Sequence, residues 1–237
     1  MIYEMQSRVR YSEVDSEGIL SIPALINYFQ DCSTFQSEDT GFSIRWLREH
    51  GQGWYILSWQ IDIDRLPKIG EEILITTRPT GYQGLYATRD FTMGDPGGEA
   101  FVRARSIWIL MDQNKMRPTI ASKEMKLAYG LDAPVEGDWG GRKMEEPAPQ
   151  DLVDAGSFTV TRAHLDSNHH MNNEKYIEEA MAVLPEGRSI RGIRTEYRKQ
   201  AVFGDMVYIQ TKTEEDRMTA VLKSDGEILA IVSFLTR

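Results

Sequence analysis

Residues 165–180 read Leu-Asp-Ser-Asn-His-His-Met-Asn-Asn-Glu-Lys-Tyr-Ile-Glu-Glu-Ala, and their interpretation decides the fold. Asp166, Asn168 and His170 occupy alternate positions, and a helical pattern follows at once with Tyr176, Ile177 and Ala180 on one face. If residues 166–170 are extended, the two-residue period places Asp166, Asn168 and His170 on one side and Ser167 and His169 on the other. Three polar side chains then meet at the N-terminus of a helix. That end carries unpaired N–H groups and a partial positive charge, so it suits an oxyanion or a polarised carbonyl. A plainer reading is also open, in which Asp166 and Asn168 serve as turn and cap residues.

Outward from this stretch, the chain reads as one order of elements given twice. Before it, residues 158–163 form a short strand. After it come a helix over 172–184 and strands over 190–201, 206–213, 218–223 and 228–235. In the first half a weak strand over 6–14 precedes a helical pattern from residue 22 to about 49. Leu25, Ile26, Phe29, Cys32 and Phe35 recur there at spacings of three and four. Gly41 interrupts it before a second piece over 44–48. The period then changes to two over 54–64, 71–80, 85–93 and 100–111, with Gly and Pro in the breaks. Residues 116–150 carry repeated Pro and Gly and read as a connection holding one short helix over 122–129. Long helices against runs of antiparallel strands make an α+β layer arrangement.

Two registers relate the halves. Asp15-Ser16 matches Asp166-Ser167 at an offset of 151 (166 − 15), and the run 70–75 matches 204–209 at 134 (204 − 70). At the first offset Asn168 and His170 fall on Glu17 and Ile19, so the first copy lacks the polar set. A duplication with chemistry only in the second half follows.

The string D-x-N-x-H-x-N-N-x-x-Y-I, carried by Asp166, Asn168, His170, Asn172, Asn173, Tyr176 and Ile177, resembles the acyl-acyl carrier protein thioesterases of the tandem double hot-dog fold. Residues 196–205, Glu-Tyr-Arg-Lys-Gln-Ala-Val-Phe-Gly-Asp, look like the family's next block. The resemblance implies a first hot-dog over 1–130 that shapes the acyl pocket, a linker over 131–155 and a catalytic hot-dog over 156–237. It also implies hydrolysis of a fatty acyl thioester on acyl carrier protein, ending chain elongation, with no cofactor and no metal. His170 is then the base, Asp166 orients the imidazole or the Asn168 amide, and Asn168 with the helix N–H groups holds the carbonyl oxygen. Where plant members carry a Glu-Cys pair, this chain has Gln200 and Ala201. An amide on the expected strand orients water but cannot take its proton. Leu25, Ile26, Phe29 and Cys32 are the expected wall of the acyl slot. Arg188, Arg191, Arg194, Arg198 and Lys199 are the expected patch for the acidic carrier.

A net charge of −9 argues against nucleic acid or anionic membranes as partners. No apolar run approaches the ~20 residues of a membrane-spanning helix, and the N-terminus shows no signal-peptide core. With a lone cysteine, Cys32, the expectation is a cytoplasmic protein, either monomer or homodimer. Three rivals remain: a coenzyme A thioesterase of the same fold, a hydratase of that fold, and an acyl-binding module without turnover.

Overall fold

The computed structural model describes all 237 residues, and its internal contacts divide them into two units. The first comprises Met1–Leu57 and Ile63–Trp139, the second Ser58–Asp62 and Gly140–Arg237.

The first unit runs β1 (Tyr3–Arg8), α1 (Ile22–Asp39), α2 (Ile44–Glu49), β2 (Gln52–Ile63), β3 (Glu72–Gln83), β4 (Tyr86–Gly94), β5 (Ala100–Asp112), β6 (Arg117–Thr119) and α3 (Lys123–Tyr129). Its strands lie in the order β1-β3-β4-β5-β2, with β6 folded back on β5. Helix α1 starts where Ser21 accepts the Ala24 N–H and Pro23 sits in the first turn, where its missing donor costs nothing. It stops at Thr40 because Gly41 takes a φ of +86°, which a side chain disfavours. Its apolar face covers the sheet: Leu25, Ile26, Phe29 and Cys32 are fully buried, with the Phe29 and Phe91 rings 5.2 Å apart. Burying each large apolar side chain contributes about 1.5–3 kcal/mol.

Among the ion pairs of this unit, one has a fully buried carboxylate. Asp90, fully buried on β4, accepts Arg105 Nε and Nη2 at 2.7 Å each and the Val135 N–H at 2.9 Å. It fastens the segment after α3 to the sheet.

The second unit runs β7 (Val153–Thr159), α4 (Asn173–Met181), β8 (Ile190–Tyr197), β9 (Met206–Thr213), β10 (Arg217–Ser224) and β11 (Glu227–Thr236). Their order is β7-β9-β10-β11-β8, and Ser58–Asp62 of β2 pair with β8. The two orders match strand for strand, β1 to β7, β3 to β9, β4 to β10, β5 to β11 and β2 to β8, as the repeat predicts.

Three expectations change. The first strand ends at Arg8, and Tyr11–Glu13 form a single 3₁₀ turn. The stretch 116–150 is more ordered than its composition suggests, because β6 pairs with β5 and Ser122 caps α3. Most important for the site, β8 ends at Tyr197, so Gln200 stands on an exposed loop and not on a strand.

Candidate active site

Residues 165–171 form a closed turn. Leu165 bridges to Met171, the Asp166 N–H donates to the His170 carbonyl at 2.8 Å, and the His169 N–H donates to the Asp166 carbonyl at 3.1 Å. Asp166 Oδ1 accepts the N–H groups of Asn168 at 2.8 Å and of His170 at 3.2 Å. The expected alternation of an extended strand is therefore wrong here. Asp and Asn side chains favour turns because they can replace a backbone acceptor, and Asp166 does so twice. Asp166, Asn168 and His170 are brought together by this carboxylate, which braces the backbone of the other two.

The turn is held against the next block of sequence. Met171 N–H donates to the Ala201 carbonyl at 2.9 Å, His170 bridges to Val202, and Ala201 N–H donates to the Tyr176 hydroxyl at 2.8 Å. Gln200, the residue before Ala201, is thereby stationed beside the turn. His170 is partly buried and its Nδ1 is shielded from solvent, whereas Asn168 is exposed.

Helix α4 starts directly after the turn, capped by Asn172, whose Oδ1 accepts the Glu174 N–H at 3.2 Å and whose carbonyl accepts the Lys175 N–H at 2.9 Å. The Asn172 N–H goes to the His164 carbonyl at 2.8 Å. None of these acceptors takes the Asn173 N–H. The general expectation of several free helix amides thus narrows to one, beside the Asn168 side-chain amide. Tyr197 approaches from β8, its hydroxyl donating to the Asn173 carbonyl at 2.8 Å. Burial pushes the Tyr176 phenol up to about 12, and raises the Tyr197 phenol well above its ordinary value. Both stay neutral donors or acceptors at any working pH.

Glu174 went unremarked in the sequence, yet only 2% of it is exposed. Burial lifts its carboxyl above the usual range, and Lys175 acts in the opposite direction. A signal was present, since Glu174 falls three residues before Ile177 on the apolar stripe of α4.

The first copy repeats the turn without its chemistry. Asp15 Oδ1 accepts the N–H groups of Glu17 at 2.9 Å and Ile19 at 3.0 Å, and Leu20 N–H donates to the Pro67 carbonyl at 2.8 Å. Gly18, with φ +74°, stands where the second copy has His169 at φ +63°. Left-handed backbone is costly for a side-chain-bearing residue, and its place beside the polar set is where such strain tends to collect. Asp15→Ala is expected to cost about 1–3 kcal/mol, two hydrogen bonds at about 0.5–1.5 kcal/mol each. Turnover per folded molecule should not change; a thermal melt beside an activity assay checks both.

Two family models cover most of the chain, the acyl-ACP thioesterase N-terminal domain over residues 1–129 and its C-terminal domain over 149–231. The chain belongs to the acyl-ACP thioesterase family. It is 28% identical over 215 residues to the chloroplastic acyl-acyl-carrier-protein hydrolase FATB3 of Cuphea viscosissima, a match over 81% of this chain and 50% of that one. It is 25% identical over 236 residues to oleoyl-acyl carrier protein thioesterase 1 of Arabidopsis thaliana, over 90% and 64% of the two chains. The chain thus spans about half to two thirds of the length of these plant relatives. Among solved structures, an acyl-ACP thioesterase from Bacteroides thetaiotaomicron superimposes with a TM-score of 0.89 at 23% identity, covering 100% and 98% of the chains. The 12:0-ACP thioesterase from Umbellularia californica gives 0.86 at 19%, covering 100% and 97%. The fold is the tandem double hot-dog of that family, α+β with helices on antiparallel sheet.

The residues expected as the acyl-slot wall of an acyl-ACP thioesterase, Leu25, Ile26, Phe29 and Cys32, lie together on the buried face of α1 in the first unit. Burial pushes the Cys32 thiol up to about 12, so it is no nucleophile. The five basic residues do not form one patch. Arg191 to Arg198 alone spans roughly 23 Å of extended chain. Arg188 donates to the carbonyls of Glu214 and Glu215, Arg191 faces Asp216, Arg194 donates to the Gly141 carbonyl, Arg198 faces Glu146 and Glu196, and Lys199 faces Glu227. Only Arg198 and Lys199 stand at the end of β8 that leads to Gln200. Alternating directions along a strand, and acidic residues close by, separated what sequence proximity had grouped.

Proposed function

We propose that the protein hydrolyses the thioester of a fatty acyl chain carried on acyl carrier protein, releasing the free acid and the carrier thiol. The observation that carries this reading is the Asp166-braced turn, which sets Asn168 and His170 at the start of α4 and is kept without either residue in the first copy. The thioester carbonyl oxygen lies between the Asn168 amide and the Asn173 N–H. Fixed donors aimed at the developing charge commonly contribute more to acyl transfer than any other effect, one donor supplying ~10²–10³ in rate. His170, the imidazole of the set, moves the protons. Gln200 orients the water. Arg198 and Lys199, which precede Gln200 directly in the chain, are the cations offered to an acidic carrier.

Thiol release from a panel of carrier-bound acyl chains, set beside the same chains on coenzyme A, tests the reading. Faster turnover of the carrier-bound set supports it, and preference for coenzyme A overturns the carrier assignment. The amide at position 200 favours a second reading, an acyl-binding module without turnover, which any catalytic thiol release excludes. Gln200→Glu is expected to preserve or raise activity, because it returns a carboxylate to the loop beside the turn. A fall of several orders of magnitude would overturn the water-orienting role given to position 200.

A further inference from the structure

Position 200 presents an amide where hydrolysis calls for a base, while a carboxylate lies buried one residue past the free helix amide. We propose that Glu174 holds and deprotonates the attacking water, a role that rests on the thioester-hydrolase reading above. Four observations converge on it. Glu174 directly follows Asn173, and side chains on a helix lean toward its N-terminus, so this carboxylate leans toward the mouth of α4. Its cationic neighbour, Lys175 Nζ, lies 3.4 Å away and is shared with Glu178, to which it is closer at 2.6 Å. A buried acid so weakly compensated costs stability, and a fold retains such a group most readily where it has a task.

The third observation is the sheet beneath. Tyr197 on β8 anchors the Asn173 carbonyl, and the Glu174 charge contributes to raising its phenol. The Thr195 hydroxyl, two residues earlier on the same face of β8, is buried beside that phenol and acts to lower it. Fourth, the Tyr197 ring lies 5.6 Å from Tyr176, whose hydroxyl holds Ala201, so the two tyrosines join the Asn173 carbonyl, next to Glu174, to the segment that holds the His170 turn. The raised carboxyl is an added advantage, since a general base works best with a pKa near the operating pH.

The step balances. The water oxygen bonds to the carbonyl carbon while one of its protons passes to a Glu174 oxygen, and the oxyanion rests on Asn168 and Asn173. The carbon–sulfur bond then breaks, and that proton reaches the departing sulfur by way of His170. A carboxylic acid and a thiol remain.

The test uses the full chain and acyl thioesters of N-acetylcysteamine, whose hydrolysis by the unaltered protein first establishes the underlying reading. Glu174→Gln is expected to lower kcat at least about a hundredfold, with KM within threefold, and to abolish the fall in kcat on the acid side. The groups facing Glu174 are Lys175 and Glu178 on α4 and Tyr197 on β8, and all remain in this variant. Glu174→Ala is expected to regain at least tenfold of its lost rate in added formate, which a packing defect would not. Persistence of the acid limb in Glu174→Gln, or failure of formate to raise Glu174→Ala, overturns the proposal while leaving the hydrolase reading intact.

Discussion

His170→Ala is expected to cut kcat for thioester hydrolysis by about 10²–10⁴-fold, the range that a positioned proton carrier supplies. The melting temperature should barely move, because the turn is held by Asp166 Oδ1 and by backbone bonds that an alanine retains. Asn168→Ala removes an oxyanion donor and should cost at least about a hundredfold by a different route. Its backbone N–H still reaches Asp166, so stability is again spared. Single-turnover rates with melts on the same preparations check both. If the two variants keep a third of their activity, the turn is structural and the catalytic assignment is wrong.

Asp90→Ala should produce the largest loss of stability among single substitutions in the first unit, about 3–5 kcal/mol. The reason is asymmetry. Asp90 neutralises Arg105 through two bonds of 2.7 Å and also satisfies the Val135 amide. Removing it leaves a guanidinium with a side chain only 20% exposed and no counter-charge, and it releases the segment after α3. For a chain of this size the change corresponds to roughly 6–20 °C in Tm. Replacing the pair together, Asp90→Leu with Arg105→Met, should recover much of the loss, since a buried ion pair seldom outperforms apolar residues of similar volume. A double variant no more stable than Asp90→Ala would show that the Val135 bond, and not the charge, dominates.

How far the sequence could be read depended on what each signal encodes. Helix α1, its stop at Gly41 and the strands around it were legible because burial on one face imposes a period on the chain. The repeat was legible too. The offsets 151 and 134 that align sequence runs also align hydrogen bonds: Leu20 to Pro67 becomes Met171 to Ala201, and Gly70 to Val9 becomes Gly204 to Val160. The family string placed Asp166, Asn168 and His170 correctly at a helix start.

The sequence by itself therefore determined the layer arrangement, the duplication and the half that bears the polar set, all properties of periodicity and local turn chemistry. Tertiary structure decided the rest. Asp166 and His170 meet through a carboxylate bonded to two amides, which strand alternation does not encode. Five basic residues close together in sequence separate because an extended chain covers about 3.3 Å per residue and each cation has its own partner. Glu174, an unremarkable charge on a helix in the sequence, becomes a buried acid only when α4 packs on the sheet, because burial belongs to the packed molecule and no single segment carries it.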